Sequence, residues 1–181
     1  IAQAAAIFGY DVFLYDIDEA VLERAQGLIF ASIDKGVARG KTDPEIADQA
    51  KRRIRFTVDL GSAATSADLV IEAVPEIMSL KKQLFAQLDE LAPEHTILAS
   101  NTSSLSINGM AAATDRRDRV IGLHFFNPAH IMKLVEVVIS DDTSAATIAA
   151  CEAFAHQLQK ITVRCTDTPA FIVNRVARPF Y

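Results

Sequence analysis

An α/β fold, with an open and largely parallel sheet covered by helices on both faces, is what this sequence predicts. Three observations carry the prediction. Apolar runs of strand length alternate with helical periodicity along the whole chain. The helices between them reach about ten residues or more, long enough for right-handed crossovers between parallel strands. Several runs, "ADLVIEAVPE" among them, are continuously apolar, as strands buried on both faces are.

The elements follow in order. "IAQAAAIFG" reads as a small-residue helix without a cap, closed by Gly9, and "DVFLYD" (11–16) as a buried strand. Asp18 suits the N-cap of a long helix, with Val21, Leu22, Ala25, Leu28, Ile29 and Ile33 at helical spacing. "TDPE" (42–45) fits a capping box with Pro44 in the first turn, opening a shorter helix to about Arg53. "IRFTVD" is a short strand, and "ADLVIEAVPE" (67–76) a longer one ending at Pro75. Ser79 is placed to cap a helix whose Leu80, Leu84, Leu88 and Leu91 form a narrow stripe. "HTILAS" (95–100), the run before His124, "MKLVEVVIS" (132–140) and "ITVRC" supply further strands, with helices near 105–113 and over 144–160 between them. Asp167 and Pro169 suit the start of a last helix that carries Asn174.

Composition narrows the function. The 181 residues are half hydrophobic and carry a net charge of −5, which gives no general attraction to nucleic acid or anionic lipid. No run approaches the ~18 apolar residues needed to span a bilayer. Cys151 and Cys165 lack metal-ligand or redox spacing, so no metal is expected and a reduced, cytoplasmic setting is the simplest reading.

A dinucleotide-binding fold places a glycine-rich turn after its first strand and an acidic residue ~20 positions later on the ribose hydroxyls. No G-x-G-x-x-G is present, yet Asp16 ends a strand that follows a small-residue helix, where the ribose acid belongs. Counting back by that interval puts the glycine turn and its strand before residue 1. Asp16 is then either a ribose ligand, which favours NAD over NADP, or a turn residue.

Three strand ends carry polar residues: Glu76 in "EAVPE", Ser103 in "SNTSS", and His124 with Asn127 in "HFFNP". Carboxyl ends of parallel strands in succession mark one rim of the sheet as a site. In "KLVEVVI" Glu136 sits among valines, where a carboxylate is costly unless paired. Either an edge strand exposes it to water, or it accepts a hydrogen bond from one imidazole nitrogen of His124. The second case fixes the tautomer and leaves the other nitrogen free to take a proton.

Together these segments resemble the L-3-hydroxyacyl-CoA dehydrogenases, including the 3-hydroxybutyryl-CoA enzymes. "IAQAAAIFGYDVFLYDID", "ADLVIEAVPE", "LASNTSSL", "GLHFFNP", "KLVEVV" and "DTPAFIVNR" look like that family's successive motifs, in order, along essentially the whole chain. The resemblance implies a Rossmann-type domain over residues 1–165 and the start of an α-helical substrate and dimerisation domain over 166–181. It implies NAD as cofactor, an acyl-CoA substrate, a homodimer in the full-length protein, and no nucleic-acid or membrane partner. His124 would be the catalytic base, Glu136 its orienting partner, and Ser103 and Asn174 polar groups near the reacting oxygen and thioester. Asp16 would bind the adenosine ribose, and Glu76, Lys81, Ser103 and Asn127 would line the nicotinamide half. Ser32 matches a position near the CoA moiety, with Arg39 or Lys41 in place of the family's nearby lysine.

The activity implied is oxidation of a (S)-3-hydroxyacyl-CoA to the 3-oxoacyl-CoA in fatty-acid β-oxidation or related acyl-CoA metabolism. Without the glycine turn, these 181 residues alone are expected to be inactive. Two rivals remain: a different 3-hydroxyacid or sugar-nucleotide dehydrogenase of similar fold, and a non-enzymatic, crystallin-like protein on the same scaffold.

Overall fold

The structure is a computed structural model that describes residues 1–177. Positions 178–181 of the expected helical segment lie outside the described residues. The chain divides into two compact units, Ile1–Ala63 and Ala64–Tyr181.

In the first unit, α1 (Ala2–Ile7) ends at a turn in which Gly9 takes φ +96°, a backbone conformation that costs glycine little. The chain then enters β1 (Val12–Tyr15), which is half-buried rather than buried as the sequence suggests. The Asp18 carboxylate caps α2 (Glu19–Ala38) by accepting from the Ala20 N–H at 2.9 Å. Leu22 and Ile33 carry the buried face of α2, whereas Leu28 is exposed, on the outer side of the helix. At α3 (Pro44–Arg53) the cap is Asp43, not Thr42. Its carboxylate reaches the N–H groups of Glu45 and Ile46 directly, so the expected capping box does not form. Strand β2 (Ile54–Thr57) pairs parallel with β1, Val12 opposite Ile54, over a core of Ala6, Ile33, Ala47, Ala50 and Ile54. Helix α4 (Leu60–Ala64) closes the unit.

The second unit holds a five-stranded sheet in the order β3-β4-β5-β6-β7, formed by β3 (Leu69–Glu72), β4 (Ile97–Ser100), β5 (Val120–Phe125), β6 (Leu134–Ile139) and β7 (Ile161–Thr166). All neighbours run parallel except β5 and β6, which are antiparallel. Every residue of β4 and β5 is buried, in keeping with their continuous apolar sequences.

Helix α5 (Met78–Leu91) starts one residue before Ser79, with Ile77 at its N-cap and no side-chain cap. Its buried face is Lys81, Phe85 and Leu88, while Leu80 and Leu91 lie toward water. Helices α6 (Ile107–Ala111) and α7 (Ala145–Gln157) are capped by the Ser106 and Ser144 hydroxyls.

The last helix, α8 (Val173–Ala177), starts well after Asp167 and Pro169. Asp167 instead accepts from the Ser106 hydroxyl at 2.7 Å and the Asn108 N–H at 2.8 Å. Between them Ala170 and Phe171 take positive φ, and the Phe171 side chain is fully buried, so it is not left without packing partners. The result is a Rossmann-like α/β fold of mostly parallel strands and helices, as the sequence predicts. Among the described residues no helix is long and apolar enough to cross a membrane.

Candidate active site

The site is built where β5 meets β6. Gly122 makes their close approach possible. A Cβ there would stand 2.6 Å from the Val138 Cβ and 3.0 Å from the Ile107 Cδ1, both too near. With Gly122 opposite Val138, the antiparallel register brings His124 directly opposite Glu136. Their side chains meet at 2.6 Å, Nδ1 to Oε2.

β6 lies between β5 and β7 and Glu136 is 0 % exposed, so the solvated-edge alternative does not hold. Its second oxygen, Oε1, accepts from the N–H groups of Ile172 at 3.0 Å and Val173 at 2.8 Å. The carboxylate therefore satisfies the first N–H groups of α8 as well as the imidazole. Phe126 and Phe171 flank the His124 ring, with centroids 4.5 and 6.1 Å away.

A second cluster forms at the ends of β3 and β4. The Glu76 Oε1 accepts from the Thr102 hydroxyl, from the Ser103 N–H at 3.0 Å and from the Ser103 and Ser104 hydroxyls at 3.4 Å. Its Oε2 lies 3.2 Å from the Lys81 ammonium. Partial burial pushes the Glu76 carboxyl pKa up, but the Thr102 and Ser103 hydrogen bonds and the Lys81 charge outweigh it and hold the pKa below its usual value.

Asn174 on α8 donates from Nδ2 to the Ser103 carbonyl at 3.1 Å, so Glu76, Ser103 and Asn174 stand together. Asn174 is near the start of a short helix and not in the middle of a long one. Asn127 is exposed in the loop after β5.

Lys81 is 1 % exposed. Its Nζ donates to the Glu72 Oε1 at 2.6 Å and the Val74 carbonyl at 3.1 Å. In the first unit, Asp16 follows β1 and is half-buried, its Oδ1 accepting from the Asp18 N–H at 3.1 Å. Ser32 is half-buried on α2, while Arg39 and Lys41 are exposed beyond its end.

Sequence reasoning missed several polar residues of the site, Glu72 and Asn101 beside the Thr102 and Ser104 that meet Glu76. Glu72 ends β3 after an apolar run, the same signal that singles out Asp16, and it is 3 % exposed. Asn101 accepts the Phe125 N–H on its Oδ1 at 2.8 Å, which holds the end of β5 beside His124. Nothing in "ASNTSS" distinguishes that asparagine from a loop residue. Burial pushes the thiols of Cys151 and Cys165 up to about 12 and about 11, so both are neutral at physiological pH.

Residues 1–168 match the family model described as "3-hydroxyacyl-CoA dehydrogenase, NAD binding domain". The chain is 47% identical to the 3-hydroxyadipyl-CoA dehydrogenase of Escherichia coli (strain K12) over 100% of its own length and 38% of that protein. It is 43% identical to the mitochondrial hydroxyacyl-coenzyme A dehydrogenase of Homo sapiens over 99% of this chain and 59% of that one. The crystal structure of 3-hydroxybutyryl-CoA dehydrogenase from Escherichia coli K12 superimposes with a TM-score of 0.96 at 47% identity, over 99% of this chain and 38% of that chain. The chain thus spans between about two fifths and three fifths of the length of these relatives. The matched residues hold both the Asp16 strand end and the His124–Glu136 pair, and the chain belongs to the 3-hydroxyacyl-CoA dehydrogenase NAD-binding domain family, with NAD as its cofactor.

Proposed function

We propose that the protein carrying this chain oxidises the 3-hydroxyl of (S)-3-hydroxyacyl-CoA thioesters to the 3-oxoacyl-CoA, with NAD as hydride acceptor and His124 as general base. The observation that carries the reading is the buried His124–Glu136 contact of 2.6 Å at the carboxyl end of β5. The donor set suits the cofactor. Asp16 offers a carboxylate at a strand end, fit to accept from the two hydroxyls of the adenosine ribose. Glu76, Ser103 and Asn127 offer polar groups for the nicotinamide half, and Lys81 acts on Glu76 from beneath.

When bound, NAD supplies the acceptor for the hydride that leaves C3. His124 takes the hydroxyl proton at Nε2, the nitrogen that Glu136 leaves free, and the carboxylate stabilises the imidazolium that results. In the reverse direction the imidazolium returns the proton to the alkoxide. Ser103 and Asn174 orient the reacting oxygen and the thioester, and the flanking Phe126 and Phe171 keep bulk water from the ring.

Ser32, with Arg39 or Lys41, contacts the CoA moiety. Residues 1–165 form the dinucleotide domain, and 166–181 begin a helical domain that completes the substrate cleft and makes a homodimer. The setting is β-oxidation or related acyl-CoA metabolism. The compartment proposed is the cytoplasm, one of the reducing settings in which free thiols such as those of Cys151 and Cys165 persist. The test is NADH oxidation by the intact protein with a short 3-oxoacyl-CoA. Absence of turnover, with the dinucleotide bound, sinks the reading in favour of a non-enzymatic role.

A further inference from the structure

The mechanism above leaves the buried Glu72 carboxylate unused. The Glu72 side chain is inaccessible to water, at the end of β3, and one of its partners is the Lys81 ammonium that also meets Glu76. Its Oε1 lies 2.6 Å from both the Lys81 Nζ and the Val74 N–H, and its Oε2 accepts from the Ser100 hydroxyl at 2.6 Å. The Ser100 oxygen in turn accepts the Thr102 N–H at 3.2 Å, and Thr102 donates its hydroxyl to Glu76. The single carboxylate therefore ties the ends of β3 and β4 together beneath the loop that carries Ser103.

It also completes a charge relay of three groups. Glu72 and Glu76 grip the Lys81 ammonium from two sides, at 2.6 and 3.2 Å. Two anions and one cation leave one negative charge. Glu76 carries it, because its side chain is 37% exposed while those of Glu72 and Lys81 are at 0% and 1%.

We propose that Glu72 is a positioning residue that acts through Lys81 to keep a net negative charge on Glu76, and so favours the oxidised, cationic nicotinamide over the reduced, neutral one. This rests on the reading that places Glu76 at the nicotinamide half of NAD. If Glu72 is replaced by a neutral group, Lys81 is left to Glu76 alone and cancels its charge. Both the loss of charge and the inward pull on Glu76 then act in the same direction.

The experiment titrates the intact protein separately with NAD, NADH and ADP-ribose, which lacks the nicotinamide ring. In Glu72→Gln the affinity for NAD relative to NADH should fall about fivefold or more, while ADP-ribose binds as before. Adding Lys81→Met to that variant returns the net charge to −1 and should restore the ratio. Should Glu72→Gln not fold, Glu72→Asp takes its place: it keeps the charge but stands farther from Lys81, so the ratio should fall about twofold or more and be restored by adding Lys81→Met. A ratio within about twofold of wild type in Glu72→Gln, or in Glu72→Asp where that variant takes its place, overturns the proposal. A wild-type protein that binds neither dinucleotide would overturn the functional reading along with it, whereas intact binding with an unmoved ratio overturns the Glu72 assignment alone.

Discussion

His124 and Glu136 are cross-strand partners, facing each other on β5 and β6 with Nδ1 and Oε2 2.6 Å apart. They are 12 residues apart in sequence, but the antiparallel ladder fixes their separation as rigidly as any pair in the sheet. One carboxylate oxygen meets the His124 imidazole and the other accepts from two N–H groups at the start of α8. On the proposed reading, a change at Glu136 acts on chemistry and on local structure at once.

His124→Gln in the intact protein should lower kcat by ~10²–10⁴-fold, the usual cost of removing a general base. NADH affinity should change little, because no cofactor contact is assigned to the imidazole. Steady-state kinetics with an acetoacetyl-CoA-type substrate gives the answer, and turnover within threefold of wild type would remove His124 from the role.

Glu136→Gln keeps the shape but not the charge. Its kcat should fall about tenfold or more, since the imidazolium formed in the proposed mechanism loses the anion that stabilises it. Thermal stability should also fall, as the Ile172 and Val173 N–H groups face a neutral acceptor in place of a carboxylate. A kcat within about threefold of wild type would break the proposed pairing in catalysis.

Asp16→Ala should weaken NAD binding and relax discrimination against NADP. On the proposed reading the carboxylate at the end of β1 would repel a 2′-phosphate, and its removal would withdraw that repulsion. Titration with both dinucleotides is the measurement. An unaltered preference would make Asp16 a turn residue that only holds the Asp18 N–H.

Asn101→Ala leaves the partly buried Phe125 N–H without its acceptor. The expected loss is ~1–3 kcal/mol of stability, with a lower kcat because the neighbouring His124 is less firmly held. Chemical denaturation and kcat measured together would show both. A stability change without any change in kcat would confine Asn101 to the fold.

Glu76 gives a pH dependence with a defined sign. Its carboxyl is held below the usual value of 4.5 in the folded chain, so the stabilisation is present above that value. It is lost as pH falls through the lowered folded value. The stability difference between wild type and Glu76→Gln should therefore shrink on acidification below about pH 4.5. A difference that stays constant from neutral pH to pH 3 (about the low end of the carboxylate range) would contradict it.

Much of this protein could be read from the sequence because its signals are local. Strand and helix periodicity, the Asp18 cap and the strand-end positions of Asp16 and His124 depend on neighbours a few residues away. Of the misplacements, one is local in origin and one is not. At "TDPE", Thr42 and Asp43 compete for the same N–H groups, and the shorter reach of Asp43 wins. At "DTPAF", Asp167 is drawn away to Ser106 and Asn108, partners about sixty residues distant, so the helix waits until Val173.

What only the tertiary structure decided is pairing. The sequence left Glu136 free to be solvated or bonded, and the placement of β6 between two strands removed the first choice. The resemblance offered Lys81 as a residue lining the nicotinamide half of the cofactor, and packing of α5 turns that ammonium inward onto Glu72 and Glu76. A residue's type and spacing state what it can donate or accept. Which partner it meets, and whether water competes there, is set by register and burial, and those exist only once distant strands are side by side.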